Sequence, residues 1–242
     1  MSSYKLAYTD DDNVEVGLDE AGRGCLFGRL YVGAVIFPKE YDVFFDNGVG
    51  LNAIKDSKKL TERKRNILFD YIKECAIETS VAHSEVDEID KINILQADIQ
   101  AMHRALNNFE TPFQRILVDG DYFKSYSKDK KLIQHHTIVD GDASYLSIAA
   151  ASVLAKVSRD NWITEICETY PEYDKYYSLL SNKGYGTPAH MKGIKEHGVV
   201  VEHRTSFAPV RQALGLPSEK KEKKPKFAKA AGGAGAGPFL DD

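Results

Sequence analysis

The chain has 242 residues, 43% of them hydrophobic and 28% charged, with a formal net charge of −4. That length can bury roughly 70% of its unfolded surface in one domain, and the balance excludes a disordered or collagen-like chain. No apolar run approaches the roughly 18 residues a membrane helix needs, and the start, MSSYKLAYTDDDN, has neither the basic nor the apolar part of a secretory signal.

Residues 1–12 are polar and expected to be flexible, the folded body is expected over 13–216, and 217–242 reads as a disordered Lys/Ala/Gly-rich tail. In the body, VEVGL (14–18) and LYVGAVIF (30–37) predict two strands joined by a Gly-punctuated turn. Leu60–Cys75 predicts a helix with Thr61 as N-cap, followed by a strand over 77–85. Ile89, Ile92, Leu95, Ile99, Met102, Leu106 and Phe109 keep helical spacing and predict one helix over about 88–109. RILVDGD (115–121) and HTIVDGD (136–142) each read as a strand running into a turn. A long helix over about 144–170 is stopped by Pro171, Thr187-Pro188 opens another that Gly198 closes, and FAPVRQALG ends the body with a short helix. The layout is α/β, a mixed sheet flanked by helices.

Three acidic sites share one pattern, an apolar strand ending in acid beside glycine: Asp19-Glu20, Asp119 with Asp121, and Asp140 with Asp142. Strand ends are where α/β sheets build sites. Neighbouring strand residues point to opposite faces, so Asp19 and Glu20 serve one site only if the chain kinks, which Gly17 and Gly22 permit. Convergent carboxylates repel in a low dielectric and call for cations, and an all-oxygen set suits Mg²⁺ or Mn²⁺ in phosphoryl transfer. Asp-Gly after a strand is also ordinary turn chemistry, so each pair alone points no further. The three cysteines, Cys25, Cys75 and Cys167, form no CxxC pair, and no HExxH or GxSxG is present; reduced thiols and a cytoplasmic setting are expected.

GLDEAGRG (17–24), DSKKL (56–60), VDG (119), GDASYLSIAAASVLAKVSRD (141–160), KGYGT (183–187) and HRTSF (203–207) together resemble ribonuclease HII, in that family's order. The resemblance implies a ribonuclease H-like fold with a C-terminal helical extension. It also implies a metal-dependent endoribonuclease that hydrolyses the RNA strand of RNA/DNA hybrids and cuts 5′ to a single ribonucleotide in duplex DNA, leaving 5′-phosphate ends, as ribonucleotide excision in DNA replication and repair requires.

Carried over by motif, the metal-binding acids fall on Asp19, Glu20, Asp119 and Asp142, holding two Mg²⁺ or Mn²⁺ ions, while Asp121 and Asp140 match no ligand position. The 2′-hydroxyl-reading turn falls on Gly22, Arg23 and Gly24, and the sugar-packing tyrosine on Tyr185. Basic and polar contacts to phosphate are expected from Ser57, Lys58 and Lys59, and more weakly from Lys156, Arg159 and Lys183. Histidines are expected to be structural or to make incidental phosphate contacts. Cys25–Leu30 replaces a common proline-containing turn of the family, which bears on groove shape. The rivals are a ribonuclease HIII-like hybrid nuclease, which carries GTG for GRG, and a catalytically silent hybrid-binding protein, which would have lost an acid. A monomer is expected; QALGL (212–216) bears a faint resemblance to sliding-clamp peptides, and the tail is expected chiefly to add weak nonspecific attraction to DNA.

Overall fold

The computed structural model describes residues 4–39, 54 and 61–217. The expectations for Ser57, Lys58, Lys59 and nearly all of the tail therefore lie outside the described residues. A six-stranded sheet has the order β3-β2-β1-β4-β6-β5. β1 (Glu15–Ala21) pairs antiparallel with β2 (Leu30–Ile36), which pairs antiparallel with β3 (Glu78–Ser84). On the other side of β1, β4 (Arg115–Asp119) and β6 (Lys131–Ile138) run parallel to it, and β5 (Tyr126–Lys128) closes that edge antiparallel to β6. β2 is buried at every position, as its run of apolar and small residues demands.

Period-two alternation assigns the two faces of β1. Val16 and Leu18 pack with Val32 and Ala34 against Ala101, Met102 and Leu106, which belong to α3 (Ile94–Asn107). Gly17 faces the long helix α4 (Leu146–Thr169) instead: a Cβ there would stand 2.3 Å from the carbonyl carbon of Ser147, and one on Gly33 would stand 2.2 Å from the oxygen of Ala151. The strand glycines thus serve close helix-on-sheet packing, and Gly17 supplies no kink. α1 (Glu62–Cys75) lies beside α4 and is capped by Thr61, whose side chain accepts the Lys64 N–H.

The helix expected over 88–109 is two helices. α2 (Val86–Ile92) and α3 meet at Asn93, which takes φ +65° and accepts the N–H groups of Leu95 and Gln96. Apolar spacing runs straight across this break, so periodicity alone merged the two. Beyond α4, helices α5 (Pro171–Tyr177), α6 (Leu179–Asn182), α7 (Pro188–His197) and α8 (Ala208–Ala213) form the helical extension, whose core joins Tyr173, Tyr177 and Ile194 to Phe27 and Trp162. Thr187 caps α7 and Gly198 ends it at φ +79°. Residues 4–12 lie along the sheet: Tyr8 stacks on His136, and Asp11 pairs with Arg115.

Candidate active site

β1, β4 and β6 run parallel, so their carboxyl ends meet at one rim of the sheet, and the acids gather there. β1 pairs with β4 only as far as Leu18. Beside Asp19 and Glu20 the sheet is therefore open on the β4 side. Carboxylate oxygens of Asp19, Glu20 and Asp119 lie within 4.8 Å of one another. Although the two β1 acids start from opposite faces, the gap lets both reach Asp119, and no bend at Gly17 is needed.

Asp119 is held from the next strand end, its Oδ1 accepting the N–H groups of Gly141 (2.7 Å) and Asp142 (3.3 Å). These amides point inward because Asp140 turns the chain at φ +53° into a single 3-10 turn, Gly141–Ala143. Asp142 is thereby joined to Asp119 through its backbone, while its carboxylate stands outside the three-acid group. Asp121 is exposed, and the main contribution of Asp140 is this turn.

Burial, reinforced by the charges of Glu20 and Asp119, pushes the Asp19 carboxyl well above the usual carboxylate range, against hydrogen bonds from the Glu20 N–H and Ser152. Glu20 is also raised, chiefly by burial, with the nearby Arg23 guanidinium pulling the other way. Both shifts describe carboxylates that are buried close to one another.

A groove of about 350 Å³ adjoins the acids, lined by Glu20, Gly22, Arg23, Gly24, Ser152, Lys156 and Tyr185, with Arg65 of α1 on its wall. The structure thus brings Gly22–Gly24 and Tyr185 to one surface. Gly22 takes φ +92°, and a Cβ there would stand 2.1 Å from Nε of Arg159. Among the described residues, a Cβ on Gly24 would meet only Cε1 of Tyr185, at 3.9 Å. Tyr185 leaves 45% of its surface exposed beside this opening.

The expected basic contacts divide. Lys156 lines the groove and is ion-paired with Asp160 at 2.8 Å. Arg159 is fully buried, so its expected phosphate role is corrected: its guanidinium donates to the carbonyls of Arg29, Phe27 and Lys183 and fastens the turn after Gly24 to the loop before Tyr185. Lys183 contributes its carbonyl to this tie, at a backbone φ of +50°. Arg204, also buried, donates to the carbonyls of Gly22, Arg23 and Gly28.

Sequence reasoning missed Asp98. This α3 residue is 2% exposed, its Oδ1 has no hydrogen-bond partner among the described residues, and its Oδ2 stands 3.6 Å from Nη1 of Arg23, which is also 3.6 Å from Glu20. Burial, with Glu20 adding repulsion, pushes its carboxyl up to about 8. In sequence it is one polar residue in a helix, and only the packing of α3 under the β1 end reveals it.

The ribonuclease HII family model matches residues 16–210. A ribonuclease HII of Phocaeicola vulgatus is 44% identical over 202 residues, which cover 84% of this chain and 92% of that protein. Among solved structures, ribonuclease H2 from Pyrococcus horikoshii OT3 matches with a TM-score of 0.64 at 26% identity, covering 83% of this chain and 96% of that one. The RNase HII of the PCNA:RNase HII complex from Archaeoglobus fulgidus matches with a TM-score of 0.61 at 22% identity, covering 82% of this chain and 96% of that one, a likeness of fold. The ribonuclease H-like architecture is the expected one, and the chain belongs to the ribonuclease HII family of metal-dependent endoribonucleases.

Proposed function

We propose that Asp19, Glu20, Asp119 and Asp142 form the catalytic centre, and that this enzyme cuts 5′ to single ribonucleotides in duplex DNA as well as hydrolysing the RNA strand of hybrids. The observation that carries the reading is the convergence of Asp19, Glu20 and Asp119 within 4.8 Å beside a groove shared by Gly22–Gly24 and Tyr185. The donor set fits Mg²⁺ or Mn²⁺: it is all oxygen, and the burial and carboxylate repulsion that raise Asp19 and Glu20 are what a divalent cation offsets. When bound, two such ions supply an activated water and charge for the departing oxygen.

The chain's own residues orient that centre. The Gly141 and Asp142 amides fix Oδ1 of Asp119, and Ser152 holds Asp19. The bare backbone of Gly22 and Gly24 is suited to approach a ribose and read its 2′-hydroxyl, the group that separates RNA from DNA. Tyr185 offers a flat apolar face to the following sugar. Lys156 and Lys183 serve phosphate, with Ser57, Lys58 and Lys59, from outside the described residues, in the same role. Three free cysteines, two of them buried, suit a cytoplasmic setting, and the enzyme is read as a monomer. A sliding-clamp contact through residues 212–216 draws support from the complex in which the Archaeoglobus relative was solved.

The test compares duplexes bearing one ribonucleotide, several, or none. Cutting 5′ to the single ribonucleotide, and none of all-DNA duplex, is expected. Cutting only of longer ribonucleotide runs would favour the ribonuclease HIII-like reading, and no cutting in Mg²⁺ or Mn²⁺ would leave a silent hybrid-binding protein.

A further inference from the structure

His190 of α7 and His203 are both fully buried, and their Nε2 atoms lie 3.1 Å apart. Their proton positions follow from what flanks them. The Tyr185 carbonyl, 2.9 Å from His190 Nδ1, can only accept, so that nitrogen carries hydrogen. The Val200 N–H, 3.0 Å from His203 Nδ1, can only donate, so that nitrogen carries none. A neutral His203 then bears its proton on Nε2 and donates to His190 Nε2. Two protons satisfy all three contacts, and a third would set N–H against N–H. Burial among Tyr177 and Phe27 lowers the pKa of both rings, His203 to about 4, so the neutral pair is the state near neutral pH.

The relay joins the two sides of the groove. His203 forms an antiparallel bridge with Phe27, in the segment leaving Gly24, and His190 at the other end grips the backbone of Tyr185. From these contacts we infer that His190 and His203 are positioning residues, which set the Tyr185 ring opposite Gly24 and so tune recognition of the sugar beside the scissile bond. The inference rests on the ribonuclease reading above.

The test measures KM and kcat on a duplex with one ribonucleotide. His190→Leu should raise KM about tenfold, the worth of roughly one hydrogen bond, with kcat nearly unchanged. His190→Asn, whose amide can donate where Nδ1 does, should recover most of that loss. In a Tyr185→Ala background, His190→Leu should add nothing, since both changes act through one ring. Should His190→Leu fail to fold, nitrogen-15 NMR of the wild-type protein still decides: hydrogen is expected on His190 Nδ1 and His203 Nε2 at pH 7. A charged ring, the opposite tautomers, additive losses, or an unchanged KM in a folded His190→Leu would overturn the inference. Wild-type protein that leaves the duplex uncut overturns the functional reading itself, whereas wild-type cutting with an indifferent His190→Leu overturns only the positioning role.

Discussion

Asp119 and Gly141 are joined across two strand ends by a 2.7 Å hydrogen bond from the Gly141 N–H to the Asp119 carboxylate. Oδ1 of Asp119 is thus a structural acceptor, and the same carboxylate belongs to the cluster with Asp19 and Glu20, so two substitutions separate its duties. Asp119→Asn can keep the accepting oxygen and lose only the charge. It should fold like the wild type and lose more than about 10²-fold in cleavage rate, since even partners of metal ligands are worth 10- to 100-fold. Asp119→Ala should also orphan the two amides and cost about 1–3 kcal/mol of stability in thermal unfolding. Equal stability of the two variants would show that the tie to Gly141 contributes nothing.

A second prediction concerns Asp98, whose carboxyl is raised to about 8 from an ordinary 3.8. Because its folded pKa lies above the unfolded one, the folded state binds more protons between those values. Stability from this group is therefore fully present below about pH 4 and is lost as pH rises towards 8. Asp98→Asn removes that slope. Its stability relative to wild type should rise between pH 4 and 8, reaching about 1–3 kcal/mol in urea unfolding. A pH-independent difference would place the cost elsewhere than in ionisation. His203, held down at about 4, imposes the opposite slope: its contribution is present above about 6.5 and is lost as pH falls through 4.

The two groove glycines should separate fold from recognition. Gly22 combines φ +92° with a Cβ position 2.1 Å from Arg159, and Arg159 cannot withdraw without breaking its hydrogen bonds to three carbonyls. Gly22→Ala should lower stability by about 1–3 kcal/mol. At Gly24 the backbone is ordinary and the nearest atom is in normal contact, so Gly24→Ala should unfold within about 0.5 kcal/mol of wild type yet cleave a single-ribonucleotide duplex with raised KM. Loss of stability at Gly24 would remove it as a substrate-facing position.

What could be read in the sequence was what local chemistry writes. Thr187-Pro188 opening α7 and Gly198 closing it need only neighbouring residues, and the alternation of β1 already separates Leu18 from Gly17. The acids were legible because each ends a strand beside glycine. Asp98, Arg159 and Arg204 were not, because a lone charge in a helix or loop reads as surface, and each is buried by segments distant in sequence. The His190–His203 contact likewise needs the turn over 200–203 to fold back on α7. Asn93 shows the converse: its capping chemistry is local, but the unbroken apolar spacing around it hid the break.

The last prediction couples the acids to cation binding. Asp19 and Glu20 are both raised, so the cation-free cluster is destabilised at neutral pH, and a divalent ion that binds only the folded state should stabilise it by RT ln(1 + [L]/Kd), about 2.7 kcal/mol at one hundred times Kd. Mg²⁺ or Mn²⁺ should therefore raise the melting temperature, and EDTA should reverse the rise and stop cleavage. Protons compete for the same oxygens, so the rise should shrink as pH falls below neutral. Asp19→Asn should behave in the reverse way: without cation it should melt higher than the wild type, because a buried charge and its repulsion with Glu20 and Asp119 are gone, and added cation should then do little. A metal-induced rise of full size in Asp19→Asn would remove Asp19 from the cation site, whereas a lower cation-free melting temperature would show that its carboxylate stabilises the fold instead of straining it.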